Sequence, residues 1–463
     1  MSRGQVITPT SAGGPPPAAV RALTEEPPYH PFILTSLGLA LLAGFMLATL
    51  VPLSVVLDWG WGPRYRPLAQ AHGQAQVLGW VGLFIAGMVC RLMPRFSGRP
   101  LRFPALVWLT WAALSTALVL RIVAQPAGDS WWRSSALLAS GALGLVAAAA
   151  FGLVVSGTLL HRLSRAEATG HFFLLGAGAF VVQAAMNLAL LSWAVQRGQE
   201  TISVAHGAGL LHLQVYGFMT LFVLGVALRA VPTFSGLPRP EASAKALAWS
   251  IAGSVVVFVI SAEVVAGGSR NSGLFRAEGA SVAALGGLLV VGAWLVGIFR
   301  PAANRVAGAS QPHVWFIRSA FAWLAVAGGL ALYYGLRAAV AGEPIASEGT
   351  DAVRHAVAVG FATVMILGMA MLVVPEFAIR RMRHHAERLP SLFMLASLNT
   401  AAALRVSAAV AAPHWSGLDR YWPMAIAGGL AELALLLFLA LFLQSWREKA
   451  DIVALQAPLR QAG

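Results

Sequence analysis

Twelve stretches of mostly apolar residues, each long enough to cross a bilayer, recur along the chain. They fall near 31–57, 71–93, 104–124, 134–160, 171–195, 205–231, 246–266, 279–299, 315–341, 352–375, 391–411 and 423–445. A helix needs about 20 such residues to span the hydrocarbon. In lipid every backbone polar group must be satisfied within the chain, which leaves helices or closed barrels. Runs of this length select helices. The expected fold class is therefore all-α, integral to the membrane, with about twelve transmembrane helices. The loops between runs are too short for a soluble domain, so function must reside in the bundle.

Composition agrees. Hydrophobic residues make up 58 % and charged residues 11 % of the chain, whereas soluble domains carry about 25 % charged residues. The formal net charge of +14 does not point to nucleic acid, because the arginines sit in short loops between apolar runs rather than on one basic face. The single cysteine, Cys90, lies within an apolar run and reads as a small buried hydrophobe. Residues 1–30 are rich in Pro, Gly and Ala and lack the apolar core of a signal peptide; a disordered cytoplasmic tail is expected there. The membrane domain covers 31–445, and 446–463 forms a second cytoplasmic tail. Of the 32 Lys and Arg, 21 lie on the side holding both termini and the loops after even-numbered spans, against 11 on the other. The positive-inside rule then places both termini in the cytoplasm. Arg121 and Arg405 lie near the ends of spans three and eleven and are expected to snorkel to the interface.

An internal repeat organises the runs. Gln74-AQVL-Gly79-WVGLFIA-Gly87-MVCRLM-Pro94-R-Phe96 aligns with His212-LQVY-Gly217-FMTLFVL-Gly225-VALRAV-Pro232-T-Phe234 and with His355-AVAV-Gly360-FATVMIL-Gly368-MAMLVV-Pro375-E-Phe377. The steps between marked positions are identical in all three copies. The spacing makes spans two, six and ten equivalent and predicts three pseudo-equivalent four-helix units, about 31–160, 171–299 and 315–445. The paired glycines admit a neighbouring backbone, and the proline is expected to end each span. The polar position lies 20 residues before the proline, about 30 Å along a helix, at the outer edge of the hydrocarbon.

Eleven histidines are present. His161, His171, His313, His384, His385, His30 and His414 read as surface residues. His72, His206, His212 and His355 occupy or flank the mouths of spans two, six and ten on one side. Ionisable groups there are functional candidates by default, and neutral imidazoles on separate helices suit haem iron or copper. Interhelical hydrogen bonding is the competing reading, and spacing does not separate haem from copper. Tyr216 shares a face with His212 one turn later. Gln74 holds the repeat's polar position in copy one. Glu432 in span twelve reads as a protonated, hydrogen-bonded group or a step in a proton path.

At these residues the chain resembles the NnrS family, bacterial inner-membrane proteins associated with haem, copper and the response to nitric oxide. The segments HGQAQVLGWVGLFIAGMVCRLMPRFSGRPL and HLQVYGFMTLFVLGVALRAVPTFSG carry the resemblance, which extends through the repeat over about 31–445. The layout is also similar to the catalytic subunits of haem–copper oxidases and nitric oxide reductases, with His72, His212 and His355 at positions matching their metal-ligating histidines. Span seven holds no histidine and span ten holds one. The resemblance therefore implies a single haem held by His72 and His355, with His212 nearby.

The expected function is a haem-binding, and by family likeness copper-associated, protein of the nitric oxide or nitrosative stress response in the bacterial inner membrane. Its environment is the lipid bilayer and its small-molecule partner a nitrosyl species. Two alternatives are a cofactor-free transporter or proton-coupled channel and a non-catalytic assembly subunit.

Overall fold

The computed structural model describes residues 29–160, 167–299, 312–377, 388–415 and 417–461. Most of the expected N-terminal tail, together with His161, His384 and His385, lies outside them. The described chain is helical, with no strand among the described residues.

Twelve helices are long and apolar enough to cross a membrane: α1 His30–Val56, α2 Gly62–Ser97, α3 Ala105–Ala124, α4 Arg133–Leu159, α5 Ala168–Gln196, α6 Val204–Thr233, α7 Glu241–Ala266, α8 Ser272–Leu295, α9 Pro312–Ala341, α10 Ser347–Met371, α11 Arg388–His414 and α12 Leu418–Gln444. The final helix continues to Gln461. The outward faces expose Leu42, Val182, Trp294 and Val340. Apolar surface on this scale suits a bilayer rather than water.

Burial sorts the helices into two sets. The apolar windows of α2 and α6 are each 89 % buried and that of α10 is 72 % buried, against 33–56 % for the other nine. The three repeat helices thus form the centre, and their middles touch one another pairwise. Trp80, Phe218 and Phe361 occupy the same repeat position, and all three are fully buried. The Trp80 Nε1–H donates to Thr363 Oγ1 at 3.0 Å, tying α2 to α10.

Each central helix carries an eight-residue π segment starting one residue after the repeat's polar position: Ala75–Gly82, Leu213–Thr220 and Ala356–Thr363. A π turn frees carbonyls from the usual i−4 bond. Thr220 and Thr363 donate back to the carbonyls of Val215 and Ala358, at 2.7 and 2.9 Å. Copy one has Gly82 there, packed against Phe218 of α6.

The glycines act as expected, but on side-chain stems. A Cβ on Gly87, Gly225 or Gly368 would come within 2.5–2.6 Å of the Cβ of Phe32, Phe172 or Phe316 on α1, α5 or α9. Gly79, Gly217 and Gly360 meet Leu39, Ala179 and Trp323 of the same three helices. The prolines do not end their helices as expected. Pro94 and Pro232 sit within the last turns, and the helix of Pro375 runs on to Phe377. The stop is the glycine of Phe-Ser-Gly: Gly98 and Gly236 adopt φ of +66° and +63°, the left-handed conformation that closes helices.

Candidate functional site

A cavity of about 1040 Å³ opens between α1, α2, α10, α11 and α12, with α3 and α6 at its side. That is the upper end of the range for small-molecule sites, roughly 300–1,000 Å³. Two helix extensions build its mouth. α2 starts nine residues before its apolar run and α10 five before. Both extensions are amphipathic, since polar residues facing a cavity need not leave the membrane. Tyr65, Gln70, His72 and Gln74 come from the extension of α2 and the first turns of the run that follows, and Asp351, Arg354 and His355 from the corresponding part of α10; all of them line the cavity.

His72 and His355 therefore share one chamber. Gly44 lies in the π turn of α1 at Ala40–Phe45, and His72 Nδ1 lies 2.9 Å from its carbonyl. His355 Nδ1 lies 2.8 Å from the Asp351 carbonyl. A carbonyl can only accept, so each Nδ1 carries its proton, and in the neutral ring Nε2 keeps its lone pair. Metal-binding histidines are oriented in this way. Asp351 is in turn gripped by Arg405, Nη2 to Oδ2 at 2.7 Å, and its other oxygen lies 3.2 Å from His355 Nδ1. The chamber's deeper wall is apolar and includes Trp80, Val215 and Met219.

His212 is elsewhere. It lines a separate cavity of about 70 Å³ between α6 to α10. Phe258 stacks on its ring at 3.9 Å and Tyr216 lies 4.6 Å away. Its Nε2 is buried without a hydrogen-bond partner among the described residues. The structure brings Tyr216 to His212, and neither reaches the chamber of His72. His206 lies in the first turn of α6, which Ser203 caps, and its Nδ1 pairs with Glu263 Oε2 at 2.8 Å; it lines neither cavity. Glu432 is partly buried on α12 and also lines neither.

One expectation is corrected. Arg121 does not snorkel: it is 2 % exposed and forms part of the chamber wall. Arg405 is engaged by Asp351 at the chamber. Charge and position near a span end do not reveal which way a helix face points. The signal for Arg121 was its face. It continues a buried stripe of Thr110, Leu114, Ala117 and Leu118, and a residue on that stripe points into the bundle.

An iron porphyrin fits this donor set, since it asks for one or two imidazoles and an apolar slot. Copper finds no ready cluster, because no group of three or more His, Cys, Asp or Glu side chains is arranged to hold a metal ion among the described residues. No protein-family model and no curated protein matches the chain.

Proposed function

We propose that the protein binds haem between α2 and α10 and serves the response to nitric oxide or nitrosative stress, as the NnrS resemblance implies. One observation carries this reading: two imidazoles on different helices, each fixed at Nδ1 by a backbone carbonyl, line a single chamber of about 1040 Å³. His72 and His355 hold the cofactor. Asp351, clamped by Arg405, orients His355. Trp80 and Thr363 fix the chamber floor, and the deeper wall offers the ring an apolar surface. The haem supplies iron with affinity for nitric oxide.

The same reading has three four-helix units around the central helices. The matched π segments and the three matched glycine–phenylalanine contacts support it. With the arginine-rich loops in the cytoplasm of a bacterial inner membrane, the chamber opens toward the periplasm.

The test is the optical spectrum of detergent-purified protein from haem-replete cells. A Soret band is expected in the wild type and in His212→Ala, and it is lost in His72→Ala and His355→Ala. A wild-type protein without the band sinks the proposal.

A further inference from the structure

Arg121 is an unusual residue to find in a membrane helix with nothing attached. Its Nε, Nη1 and Nη2 atoms are all buried and have no hydrogen-bond partner among the described residues. A guanidinium stays protonated in proteins. Leaving such a charge dry and unpaired is strongly unfavourable. A chain that keeps it either tolerates that cost or supplies an anion from outside.

The surroundings favour an anion. Arg66, Arg354, Arg405 and Arg420 line the same chamber as Arg121, against two carboxylates, Glu348 and Asp351. One of those carboxylates, Asp351, is already engaged by Arg405. The chamber wall thus carries an excess of positive charge beside an apolar interior. Its rim near Arg121 is also built. Gln125, the residue that closes α3 one turn after Arg121, donates to the Glu200 carbonyl at 2.6 Å. Gln70 of α2 donates to the Ile202 carbonyl at 2.6 Å and accepts from the Ile202 amide at 3.1 Å. These bonds lace the α5–α6 loop over α2 and α3, and hold the wall that carries the guanidinium.

We infer that Arg121 is the oxyanion contact of this chamber, and that the chamber takes an amphipathic anion: an apolar body bearing a carboxylate or phosphate. The inference rests on reading the chamber as a ligand site, but not on iron. Two sources share the chemistry, the propionate of a porphyrin and the head group of a lipid acid.

The experiment uses the full chain purified in a neutral detergent, with three probes: hemin, hemin dimethyl ester and palmitate. Binding is followed by absorbance for the porphyrins and by thermal stabilisation for palmitate. If a propionate is the ligand, the wild type binds hemin about tenfold or more tighter than its ester. Arg121→Gln brings that ratio close to one. If a lipid acid is the ligand, palmitate stabilises the wild type and fails to stabilise Arg121→Gln. A second variant separates recognition from folding. Arg121→Met removes a lone buried charge at similar volume, so it raises the ligand-free Tm while losing the anion preference. A structural arginine would do the opposite and lower it. Failure of both porphyrins to bind the wild type sinks the haem proposal and leaves palmitate to decide on Arg121. The inference is overturned if Arg121→Gln changes neither the hemin-to-ester ratio nor the response to palmitate, or if the wild type prefers none of the anions.

Discussion

His212 and His355 hold the same position in two copies of one repeat, yet their surroundings are opposite. His212 is sealed: Phe258 stacks on it, Tyr216 follows one turn later, and about 70 Å³ is left beside it. His355 faces about 1040 Å³. The repeat position of Tyr216 is Val359 in the third copy. One backbone plan thus gives a packed imidazole or an open one, according to the bulk of the side chains around it. Repetition supplies the scaffold, and local volume decides which copy keeps room for a ligand.

The contrast can be broken by exchanging that bulk. Val359→Phe puts an aromatic ring into the chamber as Tyr216 does beside His212. Ligand affinity is expected to fall at least about tenfold, read by hemin titration, while the fold survives because the ring enters empty space. An unchanged titration would detach Val359 from the site. The converse change, Phe258→Ala, unstacks His212 and enlarges the small cavity. It should cost about 3–5 kcal/mol in reversible unfolding and make His212 reactive toward diethyl pyrocarbonate. A stable, unreactive variant would mean that Phe258 is not what seals this histidine.

The remaining tests sharpen the equivalence of the copies. Gly87→Val, Gly225→Val and Gly368→Val each force a side chain against a phenylalanine Cβ at 2.5–2.6 Å. Losses of about 1–3 kcal/mol are expected for each, and strongly unequal losses would weaken the case for matched units. Thr363→Val removes the acceptor of Trp80 and the donor to Ala358 together. A loss of about 1–2 kcal/mol is expected, larger than for Thr220→Val, which breaks only its bond to Val215.

The sequence was informative where the physics is one-dimensional. Run length sets most span ends to within a few residues, but α2, α7, α8, α10 and α12 begin five to nine residues before their apolar runs. A window that looks for apolar residues cannot see a helix that continues because its polar side faces a cavity. The repeat steps located the three central helices, since glycines and aromatics at fixed intervals report helix contacts. His72, Gln74, His212, Tyr216 and His355 stood out as polar groups in apolar helices. Their grouping did not. Spacing puts His212 level with His355, but the bulk of the side chains around each decides whether it meets a small gap or an open chamber.

Sequence alone determined a membrane-spanning all-helical chain with a three-fold pattern, because hydrophobic length and periodicity need no partner to be read. Tertiary structure alone decided that His72 and His355 share a chamber, that His212 is walled off, and that Arg121 is buried rather than extended to the headgroups. Those outcomes depend on which helix faces meet and how much volume their side chains leave. Both are properties of packing between segments far apart in the chain.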